Sequence, residues 1–270
     1  MTVRRIRNIL RKEWVLLFTD PNSTVLVVLL PFVVVGQFVL YFWLAFRFGS
    51  EGMLGSPVFQ TALEKLLQAI PEASALPATE QILVLLLNQF QFILLLIPVM
   101  IGIGIAAFSI VDEKLTGSLE ALLATPVKTW ELLLGKTLAG AIPALLMTWI
   151  SAGFFLLVIN LLGWSDLSRL VLTPGWFLSL FLLAPGVAIL SFMLGVIGSS
   201  RARDAKDAQT IALVVILPIL ALIGIQITGI VWFTPLLTLV LGLVILTVDY
   251  IALRVAVRLF QRESITIAWR

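Results

Sequence analysis

Cysteine and histidine are both absent from the 270 residues. The first absence removes any disulfide framework and all thiol chemistry. The second removes His-based metal sites, Ser-His hydrolysis and the helical zinc-peptidase motif, and leaves haem without a histidine ligand. No Gly-x-x-x-x-Gly-Lys-[Ser/Thr] run occurs, so the chain does not hydrolyse ATP by a phosphate loop. Charge is scarce as well: 12% of residues are charged and 60% are hydrophobic, where a soluble domain has about a quarter charged and half apolar. The N-terminus is a basic segment followed by a full-length apolar run. It has no short apolar region with a small-residue cleavage site, which predicts no cleavable signal.

What is present is a series of apolar runs of the length that suits helices crossing a core about 30 Å thick, without the alternation of a membrane barrel. The expected fold is an all-α integral membrane protein, one transmembrane domain over residues 1–270. Its six predicted spans are 24–46, 82–110, 137–162, 174–198, 209–230 and 236–259. Pro31 is an expected kink in the first span, and Tyr41, Phe42, Trp43 and Phe46 form an aromatic belt at its far end. Residues 47–80 are placed outside, with an amphipathic helix over 58–70 whose apolar face carries Val58, Phe59, Ala62, Leu63, Leu66 and Leu67. Residues 163–173 read as a short outer loop, and 231–235 as a tight outer turn. With both termini inside, only Arg47, Lys65 and Arg169 of the 18 Lys and Arg lie outside. The bias of positive residues toward the cytoplasm sets this orientation.

Residues 1–22 read as an interfacial helix and a turn. Val3, Ile6, Ile9, Leu10, Trp14 and Leu17 share one side, expected in the acyl boundary. Arg4, Arg5, Arg7, Asn8, Arg11 and Lys12 occupy the other, toward anionic headgroups. Glu13 falls within the apolar sector, where it must either reach the interface or find a partner. Asp20-Pro21-Asn22-Ser23 is a turn that redirects the chain into the bilayer.

Between the second and third spans, residues 111–131 form a polar segment with a helical leucine stripe at Leu119, Leu122 and Leu123. Thr125-Pro126 ends that short helix and suits the start of the next, with Thr125 as N-cap and Pro126 in its first position. The stripe suits an amphipathic connector on the headgroups or a docking helix for a groove on a cytoplasmic partner.

The run GSLEALLATPVKTWELLLGK resembles the coupling segment of type-2 ABC exporter permeases, in which an acidic residue precedes Gly-x-Leu-Glu-x-Leu-Leu-x-Thr-Pro-Val. Glu113, Gly117, Leu119, Glu120, Leu122, Leu123, Thr125, Pro126 and Val127 match, and Glu131, Leu134, Gly135 and Lys136 match its continuation. Arg11-Lys12-Glu13 followed by Asp20-Pro21 resembles the family's N-terminal elbow helix, and Asp207-Ala208-Gln209 ahead of Pro218 resembles a further piece. The resemblance implies the membrane subunit of an ATP-driven exporter, itself not an enzyme. It implies a separate cytoplasmic ATPase subunit that binds ATP and magnesium. It also implies pairing as a homodimer or with a related permease, in a prokaryotic cytoplasmic membrane. No nucleic-acid partner is implied. The short outer connections argue against members with an extended periplasmic assembly.

Asn88 and Gln91 share a face of the second span, with Gln89 between them, and are candidates for a transport path or for bonding a neighbouring helix. Asp249 is the one acid well inside a predicted span. Such a residue is a functional hypothesis by default; here it also has Arg254 and Arg258 nearby as possible partners, or water at the cytoplasmic end. An alternative reading is therefore a secondary transporter or channel using Asp249 as an intramembrane ion site. An intramembrane enzyme has less support, for Lys136 and Asp249 have no partner geometry readable from sequence.

Overall fold

Inside a bilayer the backbone has no water to bond, so an apolar chain satisfies itself as helix. The computed structural model describes residues 2–49, 55–115, 127–201 and 216–259, and helices with their turns make up all the regular structure there. They are α1 (Thr2–Thr19), α2 (Pro21–Leu44, continued by a π turn, Ala45–Gly49), α3 (Pro57–Ala69), α4 (Ala78–Ile93), α5 (Leu96–Leu115) and α6 (Thr129–Leu161). They continue with α7 (Ser165–Val171), α8 (Pro174–Leu178), α9 (Ala184–Arg201), α10 (Ile216–Ile227) and α11 (Pro235–Leu259).

Among the described residues, five stretches are long and apolar enough to cross a membrane: Pro21–Arg47, Ala78–Ala106, Thr129–Leu161, Pro174–Gly198 and Pro235–Leu259. The sixth expected span, 209–230, is represented among the described residues by α10, whose 12 residues reach about 18 Å, short of the ~30 Å core. Ala78–Ala106 lies at the centre, 83% buried, while the outermost span, Pro235–Leu259, is 22% buried. The others surround the centre with their apolar sides turned outward: Val25, Val28, Leu29 and Val33 on α2, Leu239, Leu243, Val244 and Ile251 on α11.

Several elements depart from the sequence reading. The second span is not one helix: α4 stops at Ile93 and α5 begins at Leu96. Pro98 has no N–H for the Leu94 carbonyl, which instead accepts from the Ile97 N–H at 3.2 Å. Span four is interrupted by a π turn, Ser179–Leu183, between α8 and α9, closed by the Ala184 N–H on the Ser179 carbonyl. The turn falls just before Pro185, whose missing N–H and bulky ring disturb a regular ladder. Pro31, by contrast, sits inside α2 without ending it. Residues 165–171, read as loop, form α7.

The segment 58–70 behaves as its pattern requires. In α3, Ala62 and Leu66 are fully buried, Phe59, Leu63 and Leu67 pack beside them, and Val58 stays exposed. Phe42 of the aromatic group turns inward, its ring 4.9 Å from that of Trp164. On the inner side α5 and α9 approach closely: a Cβ on Gly102 would lie 3.1 Å from the Ser191 Cβ.

Candidate functional site at the root of the third span

The leucine-striped motif itself, Gly117, Leu119, Glu120, Leu122, Leu123, Thr125 and Pro126, lies outside the described residues; Glu113 lies on the helical backbone of α5. The structure shows what the motif leads into. α6 begins at Thr129, eight residues before the predicted span, so the expected start with Thr125 as N-cap and Pro126 in the first turn does not hold. Lys128 occupies the N-cap position in extended conformation, and the Glu131 carboxylate reaches back to accept its N–H at 3.1 Å. A carboxylate in the first turn satisfies an orphan donor and complements the positive end of the helix dipole. The sequence TWELLLGK, read as the tail of a surface segment, is thus the helical root of the span.

α1 runs beside that root in the same direction. Arg5 meets Glu131, Ile9 meets Gly135, Glu13 meets Lys136 and Trp14 meets Ala139. The near-constant offset makes the two helices parallel neighbours over about 13 Å. Gly135 permits the approach: a Cβ there would lie 2.9 Å from Ile9 Cγ2. The Trp14 indole N–H donates to the Ala139 carbonyl at 2.9 Å.

Two ion pairs close the interface. Arg5 lies 3.3 Å from Glu131, with the arginine one-third exposed. Lys136 Nζ lies 3.1 Å from Glu13 Oε1, with the lysine 1% and the glutamate 13% exposed. Glu13, the acid in the apolar sector, is therefore paired across 123 residues of sequence. The inward face of α1, with Leu17 in the core and Trp14 on α6, packs on protein rather than lying in the acyl boundary. Arg4, Arg7, Arg11 and Lys12 remain exposed. Sequence reasoning missed Lys136 as Glu13's partner. The signal was there: each is an ionisable residue within an apolar run, and their charges are opposite.

α1 hands over to α2 at Asp20, which caps α2. Its carboxylate accepts from the Ser23 N–H at 2.9 Å and the Ser23 hydroxyl at 2.6 Å. Those Ser23 hydrogen bonds, the hydroxyl's first, hold the Asp20 carboxyl below the usual carboxylate range.

The polar residues of the second span form a second constellation. Gln91 donates to Asn88 Oδ1 at 3.3 Å, Gln226 of α10 donates to the same oxygen at 3.3 Å, and the Ser179 hydroxyl donates to Gln91 Oε1 at 3.1 Å. Gln226 in turn accepts from the Phe233 N–H at 3.1 Å. Asn88 and Gln91 are thus committed to neighbouring helices, and they join α4 to α10 and to the π turn. Beside them the crevice walled by Gln91, Trp176, Ser179 and Ala184 is too narrow for a water molecule.

Asp249 belongs to neither constellation. It is 7% exposed, and neither carboxylate oxygen has a hydrogen-bond partner among the described residues. The expected pairing with a basic residue or escape to water is not what the fold provides: Arg254 bonds the Tyr250 hydroxyl instead, on the exposed side of α11.

Against known families, residues 7–254 match the model of the ABC-2 family transporter proteins. The match spans most of the chain, and the chain belongs to that family: it is a multi-pass membrane protein of the ABC-2 permease type. No curated protein matches it.

Proposed function

We propose that this chain is the membrane subunit of an ATP-driven exporter and couples to a separate cytoplasmic ATPase subunit through residues 111–131, with α1 as its elbow helix. The ATPase partner, not this chain, binds ATP and magnesium and performs the hydrolysis. Both termini and the coupling segment face the cytoplasm of a prokaryotic cell, and two membrane subunits, identical or related, enclose the path.

The observation that carries this reading is the Glu13–Lys136 pair. The coupling motif leads directly into the helical root of α6, and that root is fastened to α1 by two ion pairs, a tryptophan hydrogen bond and a glycine contact. A displacement of the docked segment is then delivered at once to α6, to α1, and through the Asp20 cap to α2. Interfaces packed this tightly shift as units rather than deform.

The test is a pull-down of the detergent-solubilised chain from its native membranes. An ATPase bearing a phosphate loop should accompany the wild type and be lost when Leu119, Leu122 and Leu123 are made polar. Glu120→Lys or Leu122→Asp should leave the chain inserted while uncoupling hydrolysis from transport. A chain that purifies alone and moves solute in liposomes without ATP overturns the proposal. That outcome would favour the ion-coupled alternative, which Asp249 supports.

A further inference from the structure

We propose that Asp249 is a proton-binding site within the membrane domain, holding its proton in the seam between α9 and α11.

The seam is built of small residues. The buried face of α11 is Thr238, Gly242, Asp249, Ala252 and Ala256. Opposite Asp249 stands Gly186 of α9: a Cβ added there would lie 2.7 Å from Ile245 Cγ2 and 3.6 Å from Asp249 Oδ2. The absent side chain is what admits the carboxyl group. Asp249 is 14 residues from the outer end of α11 and ten from Leu259, so it sits about 15–20 Å from either end of the helix.

No described group neutralises it. α8, the π turn and α9 carry no ionisable residue from Pro174 through Gly198. The charges on the root of α6 are engaged elsewhere, Lys136 with Glu13 and Glu131 with Arg5. On α11 itself, the Arg254 guanidinium lies over the Tyr250 ring, 4.9 Å from its centroid, and bonds its hydroxyl; Arg258 lies in the last turn, two further turns along. Among the described residues, neither Asp249 oxygen has any hydrogen-bond partner, charged or neutral. An ionised carboxylate left so would be far costlier than the neutral acid.

The ligand follows from the same surroundings. A hard metal cation requires a shell of about six oxygens. Among the described residues no group of three or more acidic side chains stands where it could hold a metal ion. A proton needs a single oxygen. Separation of α9 from α11 would admit water and release that proton to it, and closure would require its return. This inference is independent of the coupling proposal, since it rests on different helices and needs no ATPase.

The experiment uses the full chain in lipid nanodiscs and dicyclohexylcarbodiimide, which attacks protonated carboxylic acids in apolar surroundings. Peptide mapping by mass spectrometry at pH 7 should place the adduct on Asp249, on the order of tenfold above ion-paired Glu13. The infrared band of a protonated acid free of hydrogen bonds should vanish in Asp249→Asn. No adduct at Asp249 and no such band would overturn the proposal. So would an adduct suppressed by sodium at constant ionic strength, which would make the ligand a metal cation. Adduct mapping needs only the wild type, so the test stands even where Asp249→Asn does not fold.

Discussion

Lys136 and Glu13 form a buried ion pair, 3.1 Å from nitrogen to oxygen, between the first helix and the root of the third span. Its stabilising effect is conditional. The attraction across the interface roughly offsets the desolvation of both ions, while removing one member leaves the other buried and less well compensated. Lys136→Met leaves Glu13 with Lys12 3.8 Å away, so it should cost about 1–3 kcal/mol, and Glu13→Leu combined with Lys136→Met should recover most of that. Thermal unfolding of the three chains in one detergent checks this; a double variant as unstable as the single one would refute it. The Arg5–Glu131 pair, with its arginine one-third exposed, should weaken more with salt than the Glu13–Lys136 pair.

Gly135 is a point of close contact between the two helices, the place of its missing Cβ taken by Ile9. Gly135→Val should push α1 away from α6 and cost about 1–3 kcal/mol. Ile9→Ala in the same chain should relieve part of that loss. Cysteines placed at exposed sites on α1 and tested for reactivity would report the displacement, and unchanged reactivity would mean that α1 does not rest there.

The Asp20 cap titrates in a defined direction. Its carboxyl is held below the ordinary value of 3.8 by the Ser23 hydroxyl and N–H. A depressed carboxyl contributes stability that is fully present above the unfolded value and is lost as pH falls through the lower folded value. Acidification from pH 5 downward should loosen the α1–α2 joint, and Asp20→Asn should flatten that part of the profile. Limited proteolysis near residue 20 across this range is the readout.

The amide network should be moderately stabilising. Gln226→Leu strands the Phe233 N–H and removes one donor from Asn88. Interhelical hydrogen bonds of this kind in membranes average about 0.6 kcal/mol and reach about 2. A loss in that range, with α10 the first helix to exchange its amides, is the expected result.

The elements most legible in the sequence were those set by length and composition. The apolar runs marked the long apolar helices that end at Leu161, Arg201 and Leu259, and the six-residue face of 58–70 marked α3. Prolines were harder, because their effect depends on context: Pro31 is accommodated, Pro98 divides a span and Pro185 follows a π turn. The site was legible in parts only. The periodicity of α1 marked its inward face and set Glu13 within it, but not what covers that face. Helix periodicity is local, and the partner, Lys136, lies 123 residues away. Likewise, no local signal told that Gln226 would meet Asn88, or that Arg254 would turn from Asp249 to Tyr250.

That sequence distance bears on how the protein is made. Glu13 is synthesised long before Lys136, and at about 5–20 residues per second the glutamate waits roughly 6–25 s for its partner. Through that interval α1 has no α6 to rest on. The first helix of the chain is therefore fully seated only after about half of the chain has been made. Its docking on Lys136 thus ties the seating of the first helix to the arrival of the third span.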